Sequence, residues 1–122
     1  MIILADTSVW VDFFRRGSLS FTERLQRGQI ATHSVVVGEL ATGNLSKRSE
    51  TLASLAKLPR ATEGSTKECL VYLESHRLFG RGIGWNDVQL LVAAELTNLP
   101  LWTLDSKLGQ ISKELHLAYG RR

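Results

Sequence analysis

"MIILADTSVW" (residues 1–10) sets a carboxylate directly against one of the most buriable runs in the chain. Residues 2–5, "IILA", read as a short buried strand, and Asp6 follows with no polar spacer. An acid beside a core strand is costly unless something pairs with it. Asp6-Thr7-Ser8 then opens a helix, "SVWVDFF", which Gly17 is placed to end. The meaning of this junction depends on whether other acids reach the same place.

The strand-then-helix pattern repeats along the chain. "QIATHS" supplies a second strand near 29–33, and "VVVGELAT" a helix ending around Gly43. Before them, "SFTE" (20–23) reads as a capping box, Ser20 capping a helix that stops at Gly28. A polar helix, "SKRSETLASLAKL", runs to Pro59, and a third strand is expected near 60–62. "STKE" (65–68) caps a helix reaching about Leu78, followed by a glycine-rich loop, "GRGIG" (80–84). Asn86 is expected to cap the apolar helix "DVQLLVAAELTN". "LWTL" (101–104) is a strand, a helix follows from Ser106 to about Leu115, and 116–119 reads as an edge strand. Alternation without clustered strands predicts an α/β fold, three-layer α/β/α around a parallel sheet of four to five strands. With no linker, repeat or low-complexity tract, residues 1–122 read as a single domain.

Bulk properties narrow the classes. With 43% hydrophobic and 22% charged residues, the 122-residue chain has a globular composition. Fifteen Lys and Arg against twelve Asp and Glu give +3, which accommodates a polyanionic partner without requiring one. The single cysteine, Cys69, excludes an internal disulfide and a cysteine-rich metal site, and its setting "KECLVYL" suits a buried thiol. The apolar opening breaks at Asp6, short of a secretory core, and no run approaches the roughly 20 residues of a membrane span. The expectation is a cytoplasmic protein without membrane contact.

In open parallel sheets, ligands bind outside the carboxyl ends of the strands. Asp6 and Asp105 each follow a strand there, Asp87 begins a helix behind the glycine-rich loop, and Glu39 lies in the helix after the second strand. Each has an ordinary alternative: a helix cap for Asp6, the helix dipole for Asp87, a turn for Asp105, a reach to solvent for Glu39. Together they make a sharper case. Four converging carboxylates repel one another, and a divalent cation resolves that conflict. An all-oxygen donor set suits magnesium or manganese and disfavours zinc, and such a site suits phosphoester hydrolysis.

"ILADTSVW", "VVVGEL", "NDVQLLVAA" and "LWTLDSKL", in that order and spacing, resemble the PIN-domain ribonucleases, most closely the VapC-type toxins of bacterial toxin–antitoxin pairs. The resemblance implies that Asp6, Glu39, Asp87 and Asp105 form the family's acidic quartet around Mg²⁺ or Mn²⁺. Ser8 then matches a hydroxyl position that supports the ion's water, and Thr103 the Thr of a Thr-x-Asp motif. Many members carry another acid two residues beyond the last Asp, followed by Phe; here Lys107 and Leu108 stand there, which favours one ion over two. The resemblance further implies a PIN-like fold and endoribonuclease cleavage of tRNA or rRNA leaving a 5′-phosphate. It also implies a homodimer, and a cognate antitoxin that wraps the groove near the first helices and blocks the site.

Arg81 and Lys107 are candidate contacts to RNA phosphates, against the alternative of solvated charges. Trp10 and Trp102 adjoin apolar runs and are expected in the core, whereas Trp85 is divided between packing and base stacking. His33, His76 and His116 are scattered and assigned no catalysis, and Asp12 is left outside the quartet because it faces another side of its helix. A catalytically inactive PIN-like module binding RNA or protein is the principal alternative. Phosphotransfer on an aspartate fits the length, but residues 50–65 hold no Asp for a receiver domain. The dehalogenase pattern needs an Asp where Ser8 stands.

Overall fold

The computed structural model describes residues 1–120. Its sheet consists of β1 (Ile3–Ala5), β2 (Ile30–Ala31) and β3 (Leu101–Trp102), ordered β2-β1-β3 with both pairings parallel. Ile3 and Leu4 pair with Ile30 and Ala31 on one side, and Leu4 and Ala5 with Leu101 and Trp102 on the other. Ile3, Leu4 and Ala5 are all 0% exposed. Successive strand side chains face opposite sides, so both faces of the sheet are covered, which is why "IILA" needs no polar alternation.

The expected four to five strands are corrected to three. Residues near 60–62 and 116–119 each reach the sheet through one parallel bridge, Arg60 to Thr32 and Ala118 to Leu101. Each is held by only two backbone hydrogen bonds around one residue. Thr32 N–H donates to Pro59 O and Ala61 N–H to Thr32 O, both at 2.9 Å, while Leu101 exchanges bonds with Leu117 and Tyr119. The chain leaves the ladder before a strand can form.

Among the described residues, seven helices surround the sheet: α1 (Thr7–Arg16), α2 (Leu19–Gln26), α3 (Ser34–Thr42), α4 (Arg48–Leu55), α5 (Thr66–Ser75), α6 (Trp85–Thr97) and α7 (Ser106–Glu114). The Ser65–Glu68 capping box on α5 forms as the sequence predicts. The one predicted at Ser20 does not. Ser18 caps α2 instead, its hydroxyl accepting from Phe21 N–H at 3.2 Å, and Ser20 lies inside the helix. α4 stops at Leu55, short of Pro59. Phe21, 1% exposed, packs against Trp10 at 4.8 Å and Trp102 at 5.6 Å between ring centroids. Burying a side chain of that size stabilises by about 1.5–3 kcal/mol, and here it fastens α1 and α2 against β3. Because the strands are parallel, their carboxyl ends share one edge, and β1 and β3 deliver Asp6 and Thr103 to it.

Candidate metal centre

Asp6, 5% exposed, caps α1 by accepting Val9 N–H at 3.2 Å, and the Ser8 hydroxyl donates to the same Oδ1 at 2.5 Å. Its Oδ2 accepts from the Thr103 hydroxyl, whose oxygen in turn accepts Asp105 N–H at 3.0 Å. Leu104 N–H donates to Ser8 Oγ at 2.9 Å. Two hydroxyls thus knit the end of β1 to the end of β3 and set Asp105, which caps α7 through Leu108 N–H at 2.8 Å. Glu39 accepts from the Thr7 hydroxyl at 2.5 Å and from the Asn86 amide at 3.0 Å. Asp87 Oδ2 accepts Gly84 N–H at 3.0 Å. Gly84 is therefore the cap of α6, and the predicted cap, Asn86, is corrected to a residue that holds Glu39.

The four acids come from separate stretches of chain, yet they feel one another. Burial holds the Asp87 carboxyl above the usual carboxylate range, opposed by the Gly84 hydrogen bond and reinforced by the charges of Asp105, Asp6 and Glu39. They do not form a closed cage. Among the described residues, no three Asp, Glu, His or Cys side chains stand close enough to hold an ion together. Like charges separate and take hydrogen bonds from neighbouring donors instead. Asp87 Oδ1 and Asp105 Oδ2 have no protein donor among the described residues. Neither the cavity bounded by α1, α2 and α4 nor the one along α5 is lined by these acids. The donor chemistry of the site is carboxylate and hydroxyl oxygen, which fits a hard divalent cation once the side chains turn inward.

The other predicted residues fall unevenly. Arg81 places both terminal nitrogens on Glu114, each at 2.8 Å, so its guanidinium is committed to α7. Lys107 lies across Gly82, where a Cβ would stand 2.8 Å from its Nζ. Asp12 pairs with Arg16 at 2.7 Å. Cys69 is buried and free. Trp10 and Trp102 pack against other rings, while Trp85 is 41% exposed. Sequence reasoning missed Thr7 and Asn86 as the residues that orient Glu39. Their adjacency to Asp6 and Asp87 was the available signal. It also missed His33, which is 1% exposed and caps α3 by accepting Val35 N–H on Nδ1 at 3.0 Å.

A family model described as PIN domain matches residues 3–114. Ribonuclease VapC32, from two strains of Mycobacterium tuberculosis, is 35% identical over 108 residues, spanning 88% of this chain and 87% of that protein. The crystal structure of PAE2754 from Pyrobaculum aerophilum superposes with a TM-score of 0.61 at 17% identity, covering 90% of this chain and 78% of the other. That likeness is one of fold. The chain belongs to the PIN-domain family, among its VapC-type ribonucleases.

Proposed function

We propose that this chain, a single three-layer α/β/α PIN-like domain over residues 1–122, is a divalent-metal-dependent endoribonuclease and the toxin of a toxin–antitoxin pair. The observation that carries the reading is Asp87, whose carboxyl is raised by burial and, further, by the charges of three acids from distant parts of the sequence. Asp6, Glu39, Asp87 and Asp105 would hold Mg²⁺ or Mn²⁺. When bound, the ion supplies Lewis acidity, making water a better nucleophile and offsetting charge on the leaving oxygen. The chain's own groups do the positioning. Ser8 and Thr103 fix Asp6, Thr7 and Asn86 fix Glu39, and the Gly84 N–H fixes Asp87. Asp87 Oδ1 and Asp105 Oδ2 are the oxygens left free to face the ion.

Lys107, whose side chain lies across Gly82, would meet a substrate phosphate. Arg81, bound to Glu114, instead holds the 80–84 loop against α7. The substrate is RNA, with tRNA or rRNA as the targets implied by the family. A cavity of about 600 Å³ among Trp10, Phe13, Phe14, Leu25, Leu55 and Leu58 offers the antitoxin an apolar groove between α1, α2 and α4. Homodimer assembly and a cytoplasmic location complete the reading; no described helix is long and apolar enough to cross a membrane. A catalytically inactive PIN-like module would have lost some of the quartet, and all four acids are present.

The test is RNA cleavage with Mg²⁺, Mn²⁺ or EDTA. Wild type cleaves with the metals and not with EDTA, and Asp6→Asn loses at least about 100-fold in rate, as for removal of a key electrostatic group. Equal activity in every condition refutes the mechanism.

A further inference from the structure

The helix that carries Glu39 is weak by itself. α3 has nine residues, with three β-branched valines in succession, a glycine beside Glu39 and no acid of its own in the first turn. A helix of that length depends on its surroundings. Its first four N–H groups are nonetheless all satisfied. Val36 and Val37 donate to the His33 carbonyl, each at 3.0 Å, and Val35 donates to His33 Nδ1 at 3.0 Å. The remaining one, Ser34 N–H, meets Glu63 Oε2 at 3.0 Å, while the Ser34 hydroxyl donates to Oε1 at 2.6 Å. Glu63 thus supplies, from 29 residues away, the carboxylate that the positive end of α3 lacks. The backbone keeps it there: Thr32 N–H donates to Pro59 O and Ala61 N–H to Thr32 O, both at 2.9 Å.

His33 is 1% exposed and neutral, and its Nε2–H is buried without a partner. Two charged side chains act on the ring. A Glu63 oxygen, Oε2, lies 3.9 Å from Nδ1, and the Arg60 guanidinium lies 3.8 Å from that oxygen. Burial holds the His33 pKa below 6.5, with Glu63 opposing and Arg60 reinforcing the shift. A second proton can go only to Nδ1, because Nε2 already carries one. It turns the acceptor of Val35 N–H into a donor and sets a positive charge at the positive end of α3. It also attracts the same Glu63 oxygen that Ser34 N–H uses. Two of the four N–H groups lose their acceptors in one event. Without the first turn only residues 38–42 remain, too few to stay helical, and Glu39 leaves Thr7 and Asn86.

Resting on the metal-dependent reading above, we propose that His33 and Glu63 are positioning residues for Glu39. They hold the first turn of α3, and a proton on His33 undoes it, so the quartet opens at Glu39 in mild acid.

Metal and proton must then oppose each other, by the same factor in both directions. Calorimetry with Mg²⁺ should show wild type losing about fivefold more affinity between pH 7 and pH 5 than His33→Asn, which keeps an N-cap acceptor that does not titrate. The carboxylates titrate in both proteins, so the difference belongs to His33. The reciprocal measurement needs no substitution. Saturating Mg²⁺ should lower the NMR titration midpoint of the His33 ring by about 0.7 pH unit, the same fivefold seen from the proton's side. In Glu39→Gln that displacement should vanish, whereas a purely electrostatic effect of the ion on the ring would persist. Glu63→Gln removes the charge that favours protonated His33, so its His33 midpoint should lie below that of wild type. Equal pH dependence of Mg²⁺ affinity in wild type and His33→Asn overturns the proposal. So does a His33 midpoint indifferent to Mg²⁺, or one that still moves in Glu39→Gln. Failure of wild type to bind Mg²⁺ at pH 7 removes the metal-dependent reading itself, and binding with an indifferent His33 removes this inference alone.

Discussion

Asp6 does two jobs with one side chain, because capping α1 occupies only part of its acceptor capacity while Ser8 and Thr103 fix the rest. His33 shows the same economy at the end of β2. It caps α3 with Nδ1, so the ring is neutral with its proton on Nε2, and that N–H is buried without a partner. Burial holds the His33 pKa below 6.5, with Glu63 opposing and Arg60 reinforcing the shift. A histidine whose folded pKa is lowered contributes stability above its unfolded pKa and loses it as pH falls through the folded value. The urea midpoint of the wild type should therefore drop between pH 7 and pH 5, and His33→Asn, which keeps an N-cap acceptor, should lose most of that drop. Identical pH dependence in the two proteins would contradict the assignment. His33 was legible in the sequence only as a scattered histidine, since neither its burial nor its capping bond has a local signature.

At the scale of elements, the caps that follow sequence rules are the ones where residue type and spacing agree. Ser65 and Glu68 form the predicted box, and Asp6 and Asp105 cap the helices they precede. The rule failed at Ser20 because Ser18 two residues earlier offers an equivalent hydroxyl, and the aromatic cluster around Phe21 decides where α2 must begin. It failed at Asn86 because Gly84 caps α6 two residues earlier, which leaves Asn86 inside the helix with its amide donating to Glu39. The short connection before α5 also packs more tightly than its polar sequence suggests. A Cβ on Gly64 would lie 2.6 Å from Val92 Cγ1, on the buried side of α6. Gly64→Ala should cost about 1–3 kcal/mol in urea unfolding, as overpacking does. A neutral result would mean that the 60–64 segment moves freely away from α6.

For the whole molecule, the acids are a liability to the ion-free fold and an asset once charge is neutralised. The raised pKa of Asp87 means that its contribution to stability is fully present below its unfolded value of 3.8 and is lost as pH rises through the folded value. At neutral pH its ionised form opposes folding. Asp87→Asn keeps an acceptor for Gly84 N–H while removing the charge, so its melting temperature in EDTA should rise by about 3 °C. An unchanged or lower value in calorimetry would show that the four charges are effectively independent. The α/β class, the parallel sheet and the positions of all four acids were readable from strand–acid–helix order. The strand count was not, because single-residue bridges leave no periodic pattern, and neither was the splayed arrangement of the carboxylates, which depends on hydroxyl and amide donors from other elements. The central claim is that these acids share one divalent ion. Calorimetric titration with Mn²⁺ tests it most directly: wild type should bind about one ion per chain, and Asp6→Asn, Glu39→Gln, Asp87→Asn and Asp105→Asn should each weaken binding about tenfold or more. No binding by wild type, or undiminished binding in these variants, would contradict it.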